Sequence, residues 1–169
     1  MTASLQIRRA EGPDLDAMAA LAAALVGFHH GLNPRRFFLA EGVAAGYRAW
    51  FERELRNDQA VLFGAWREGA LVGYLYGRFE PRNWELLVDR HAALHDVFVA
   101  DTARGRGVAD ALIAAFIGAA DAAGYARVLL HTAVENLRAQ RVFARHGFVP
   151  TMVEMTRFSP EAPSPGEDG

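Results

Sequence analysis

The run Asp96–Ile113, DVFVADTARGRGVADALI, constrains this chain more than any other segment. An apolar stretch passes through Arg104, Gly105, Arg106 and Gly107 and continues directly into an amphipathic, alanine-rich pattern. A strand that turns through glycines into a helix makes an anion site. The glycines admit close backbone approach, and the first helical turn points unpaired N–H groups at whatever sits there. Two neighbouring arginines add charge-assisted bonds to phosphate. No Lys followed by Ser or Thr completes the pattern of a nucleotide-hydrolysing loop, and the glycine spacing misses the dinucleotide fingerprint. A glycine pair before a helix also serves as a tight turn with no ligand, so the residues alone leave both readings open.

Composition narrows the field. The chain of 169 residues, 51% hydrophobic and 22% charged, is expected to form one domain over residues 1–158 with an ordinary core. Its net charge of −2 argues against a partner bound by neutralising many phosphates, so no nucleic-acid partner is expected. With no cysteine there is no thiolate nucleophile, disulfide or thiolate metal site. All 18 basic residues are arginine, which removes Schiff-base lysine chemistry. The apolar stretch Ala17–Phe28 reads as too short to cross a bilayer and follows no basic leader, so a cytoplasmic protein is expected.

Periodicity and punctuation give the element order. Leu5 and Ile7 mark a first strand, Pro13 and Asp14 open a helix to about Phe28, and His29–Arg36 reads as a break. A second helix follows over about Glu41–Arg56, then a hairpin of Ala60–Trp66 and Ala70–Phe79, a polar loop Glu80–Arg90 and a fourth strand Ala93–Ala100. Helix Gly107–Ala123, strand Ala126–Thr132, helix Asn136–His146 and a last strand Phe148–Phe158 complete the reading. Ser159–Gly169, with three prolines and three acids, reads as a disordered tail. Such an order fits an α/β fold with a mixed, mostly antiparallel sheet and helices on both faces.

The loop resembles the pyrophosphate loop of the GNAT superfamily of acetyltransferases: Arg104, Gly107 and Ala109 fill its Arg/Gln, Gly and Gly/Ala positions. A second motif of that family follows in order, Asn136, Ala139, Phe143 and His146-Gly147-Phe148. The resemblance implies acetyl-CoA as co-substrate and a fold whose fourth and fifth strands splay apart. It implies that the amides from Gly105 through Arg106, Gly107, Val108 and Ala109 to Asp110 hold the pyrophosphate. Val97, Phe98 and Val99 would run beside the pantetheine, with a backbone N–H near Val97 or Phe98 as oxyanion donor, and Asn136 and Phe143 would contact the cofactor. The implied activity is direct acetyl transfer to a primary amine of a small molecule: a polyamine, an amino acid derivative or an aminoglycoside. Two alternatives stand beside it, a weakly catalytic acetyl-CoA-binding module and an enzyme acting on a protein amine.

The sequence departs from the family pattern at Phe143, where many members carry a tyrosine that protonates the leaving thiolate. The thiolate leaves unaided, which its pKa of about 8.5 allows; or Tyr125 or water serves; or catalysis is weak. The first reading is preferred. The strand LHDVFV, Leu94–Val99, is similar to that of polyamine-type members, in which a glutamate proposed as base stands where His95 stands here. Histidine, with an ordinary pKa of about 6.5, suits the task. Strand alternation would put His95, Val97 and Val99 on one side and Asp96 and Phe98 on the other. His29 and His30 are candidate acceptor contacts, since the resemblance places the first helix–helix connection over the acceptor, or else they cap or pack the helix end; Asp96 of the fourth strand is a further candidate contact. His91 and His95 share a zinc-like spacing but lack a third ligand, so no metal is expected. Asn136 also suits a helix N-cap. Family members often pair through late strands, which makes a homodimer the implied assembly.

Overall fold

The computed structural model describes residues 4–160. Five strands form one sheet in the order β1-β2-β3-β4-β5: β1 Leu5–Arg9, β2 Ala60–Arg67, β3 Ala70–Glu80, β4 His91–Val99 and β5 Val128–Leu130. The first four pair antiparallel in sequence, and β5 joins β4 in parallel. Helices α1 (Leu15–Leu32) and α2 (Val43–Glu54) cover one face, and α3 (Val108–Ala122) and α4 (Leu137–Arg145) the other. The mixed sheet with helices on both faces is as the sequence predicts.

Period-two alternation sorts the core into two layers. Val61, Ala65, Leu75, Leu94 and Val99 pack with Leu112, Ile113 and Phe116 of α3, while Leu62, Tyr74, Tyr76 and Phe98 pack with Met18, Ala22 and Leu25 of α1 and Phe51 of α2. The β2–β3 hairpin turns through Glu68 and Gly69, both at positive φ, which gives a two-residue turn matched to strand twist. Helix α3 approaches β3 so closely that a Cβ on Gly77 would lie 2.4 Å from the Phe116 ring.

The structure corrects several boundaries. Helix α1 continues through His29 and His30 to Leu32, because the Nδ1 of His29 donates to Leu25 O and the helix closes only when Asn33 N–H reaches His29 O. Together with a short 3-10 turn it spans Gly12–Leu32, long and apolar enough to cross a membrane by length and composition alone. Here Leu15, Met18, Ala22 and Leu25 are core residues against the sheet. The fifth strand shrinks to three residues, and the expected last strand Phe148–Phe158 does not form. Its β-favouring residues meet no partner ladder, leaving Val149, Met152, Val153 and Met155 exposed. That segment is instead tied to the α1–α2 connection by an Arg36–Glu154 ion pair and by Arg35 lying over Phe158. From residue 161, the expected tail lies outside the described residues.

Candidate active site

Strands β4 and β5 pair only over Ala92–Leu94 and Val128–Leu130, whereas β4 stays paired to β3 as far as Val99. Beyond Leu94 the two strands diverge, as expected, and open a cleft of about 870 Å³. Ala100 N–H donates to Val72 O across β3–β4. By antiparallel alternation, Val97 and Val99 turn their backbone polar groups to the opposite, open edge. Phe98, by the same alternation, gives its N–H to β3. Of the three residues expected beside a pantetheine, Val97 and Val99 therefore offer backbone hydrogen bonds.

A bulge changes the facing of the strand's polar residues. Tyr76 pairs with Asp96 and Gly77 with Leu94, which leaves His95 unpaired between them. Leu94 and Val99 belong to the α3 face, and Val97 packs there too. His95 stacks on Tyr76 at 5.4 Å, and Asp96 accepts a hydrogen bond from the Tyr74 O–H at 3.2 Å. Tyr74 and Tyr76 share one face of β3, so His95 and Asp96 both point to the α1–α2 side. The alternation expected from the sequence, with the two on opposite faces, is thus corrected by one inserted residue.

Their surroundings tune them in opposite directions. Burial drives the Asp96 carboxyl up to about 6, partly offset by the Tyr74 hydrogen bond. Burial lowers His95 below the ordinary histidine value, against the pull of Glu80, whose carboxylate lies 3.7 Å from its Nε2. His95 is therefore neutral near pH 7, with its side chain 43% exposed. Tyr47 of α2, on the cleft wall, is pushed up to about 12, by burial first and then by the Asp96 charge.

At the other end of the cleft, Gly105 (φ 73°) and Gly107 (φ 75°) take the left-handed conformation that side chains resist. Gly107 caps α3 without a side-chain bond, leaving the first-turn amides of Val108, Ala109 and Asp110 without helical partners. Arg104 braces the loop, its Nε donating to Val99 O and its guanidinium pairing with Asp101 at 2.6 Å. The structure does not bring Arg106 to the cleft wall. The side chain of Asp110 is held by Arg145 at 2.9 Å and His146 at 3.1 Å, which pins α3 to the end of α4. Asn136 caps α4 by accepting from Ala139 N–H, and buried Phe143 lines the cleft.

His29 also lines the cleft, but His30 does not: its Nδ1 donates to Phe37 O at 2.8 Å and ties α1 to the following loop. Tyr125 stacks on Phe79 at 4.7 Å in a separate surface groove and does not line the cleft. Sequence reasoning missed Phe37, Phe38 and Tyr47, all on the cleft wall. The adjacent Phe37 and Phe38, following Pro34 in a helix–helix connection, were the available signal.

A splayed strand pair, a glycine turn feeding bare helix amides and an open backbone edge together define a class of group-transfer domain that holds a long, anionic donor. The sequence model of the acetyltransferase (GNAT) family matches residues 27–148, and the chain belongs to that family. It is an acyltransferase, and acetyl-CoA is the co-substrate that membership implies. No curated protein sequence matches it. Among solved structures it is similar to an aminoglycoside N-acetyltransferase, AAC(6')-Iy, in complex with CoA: 22% identity, 95% of this chain and 97% of that chain covered, TM-score 0.74. A transcriptional regulator from Bacillus halodurans C-125 is 22% identical, with 92% and 100% covered and a TM-score of 0.73. A predicted acetyltransferase with acetyl-CoA from Clostridium acetobutylicum is 15% identical, with 90% and 96% covered and a TM-score of 0.70. At these identities the likeness is one of fold.

Proposed function

We propose that the protein transfers the acetyl group of acetyl-CoA directly to the primary amine of a small molecule. The observation that carries the reading is the bulge at His95, which turns an imidazole and a half-buried carboxylate toward the same side of the open strand edge. The residues present fit the co-substrate: unpaired amides of Val108–Asp110 for its pyrophosphate, and the open edge of Val97 with the Val99 N–H for its pantetheine amides, the Val99 carbonyl being held by Arg104. Bound there, acetyl-CoA supplies the thioester carbonyl and a thiolate leaving group. The groups of the chain have separate tasks. Asp96 holds the incoming ammonium, His95 accepts its proton, directly or through water, and the Val97 N–H donates to the developing oxyanion. The similarity to an aminoglycoside N-acetyltransferase supports a small-molecule acceptor.

Phe143 gives a second reading some support. It brings no proton to the leaving thiolate, as a weakly catalytic acetyl-CoA-binding module would tolerate. The same proposal sets the protein in the cytoplasm. It also takes a homodimer as the assembly, supported by the exposed Val149, Met152, Val153 and Met155. Acetyl-CoA carrying a labelled acetyl group tests the function. Label should move to an added amine, with none retained on the protein. Label that stays on acetyl-CoA across amine and peptide panels, with cofactor binding confirmed, favours the binding module.

A further inference from the structure

The charge and shape of the acceptor half of the cleft say which amines it suits. Among the described residues, the walls of the whole cleft carry five arginines against three carboxylates, Asp96, Asp110 and Glu135. Asp110 is engaged by Arg145 and His146 beside the glycine loop. Glu135 is exposed at the rim, accepting from the Asn33 side chain. Asp96 alone of the three is half-buried and without a cation partner, its hydrogen bond coming from the neutral Tyr74 O–H. Glu54 and Glu80, under the same face, already have Arg78 within 3.8 and 3.6 Å. Three of the cleft arginines are already paired, Arg36 with Glu154, Arg104 with Asp101 and Arg145 with Asp110, so the acids decide. A polycation would bring several charges to a site with one free carboxylate. The α1–α2 wall of the cleft is mostly apolar or aromatic, with Leu25 and Leu32 of α1, Phe37 and Phe38 of the connecting loop and Tyr47 of α2, beside His29 and an Arg36 held by Glu154. Phe38 is 67% exposed, a large apolar side chain left open on the wall. Leu25 and Tyr47 pack on the α1–α2 side, the side to which Asp96 points, and Leu32, Phe37 and Phe38 lie at the end of α1 and in the connection that follows it.

We infer that the acceptor is a primary amine with a single cationic centre on an apolar, ring-sized body, an arylalkylamine or its like, and not a polyamine or an aminoglycoside. The inference rests on the acetyltransferase reading above and narrows its substrate class. The ammonium meets Asp96, and the body displaces water from the wall of Phe37, Phe38 and Leu32. Burying such a body contributes about 2 kcal/mol, equivalent to about thirtyfold in selectivity.

The test uses the full chain with acetyl-CoA and four acceptors: 2-phenylethylamine, ethylamine, spermidine and kanamycin. Binding of each amine to the CoA-saturated protein is measured calorimetrically alongside turnover. Selection of 2-phenylethylamine over both ethylamine and spermidine by about tenfold or more in kcat/KM is expected. Phe38→Ala, at an exposed position that spares the core, should reduce kcat/KM for 2-phenylethylamine more than for ethylamine. Preference for spermidine or kanamycin, or indifference to the ring, overturns the inference and leaves the transferase intact. Binding of 2-phenylethylamine without turnover does the reverse. If no amine binds, the inference falls.

Discussion

At the scale of single residues, Asp96 combines two opposed demands. A carboxyl with a pKa near 6 in the folded chain and an ordinary value in the unfolded chain binds its proton more tightly when folded. Stability therefore falls as pH rises through the interval between the two values and stays reduced above it. Asp96→Asn removes that cost, and we expect the variant to resist urea better than the parent at pH 8 by on the order of 2 kcal/mol, with the difference vanishing toward pH 4. The same variant should lose much of its amine turnover, because the unpaired carboxylate is retained for the acceptor. In the parent, kcat/KM for the amine should decline as pH drops through about 6, where Asp96 becomes protonated. His95→Ala should lower kcat by about a hundredfold, as loss of a general base does, and remove the contribution of His95 to the acid limb while leaving the decline near pH 6 that Asp96 causes. A pH profile of His95→Ala that superimposes on the parent's removes His95 from the mechanism.

Secondary-structure elements show what could be foreseen and what could not. The glycine turn into α3 was legible because its signals are local: Gly105 and Gly107 need left-handed backbone, and the apolar run on either side fixes strand and helix. Asn136 as a cap was legible for the same reason. The bulge was not, because pure alternation contains no term for an inserted residue and the register shift depends on β3 opposite. The missing last strand failed likewise: Phe148–Phe158 has strand-like composition, but a strand exists only where an edge receives it. Two substitutions probe elements directly. Gly107→Val forces a branched side chain into the left-handed region, at about 1–2 kcal/mol, and should raise the KM for acetyl-CoA about tenfold, with a smaller effect on the amine KM. Gly77→Ala, whose new methyl would meet Phe116 and the Ala93 carbonyl, should cost about 1–3 kcal/mol in chemical denaturation by holding α3 off the sheet.

Across the whole molecule, the cleft is a seam between two halves, with α1, α2 and their connection on one side and α3 and α4 on the other. A ligand spanning the seam stabilises both. Acetyl-CoA at a hundredfold excess over its Kd contributes about 2.7 kcal/mol, so Tm should rise by about 5–10 °C. Both halves meet at β4, and the account depends on that strand presenting a backbone edge to the donor and two polar side chains to the acceptor. The most direct test follows free thiol released from acetyl-CoA with a chromogenic reagent, to which a chain with no cysteine adds no background. Direct transfer requires release that depends on added amine, saturates with it and matches the acetylated amine formed mole for mole. Thiol release at the same rate with and without amine would contradict it, as would no release from protein shown to bind acetyl-CoA.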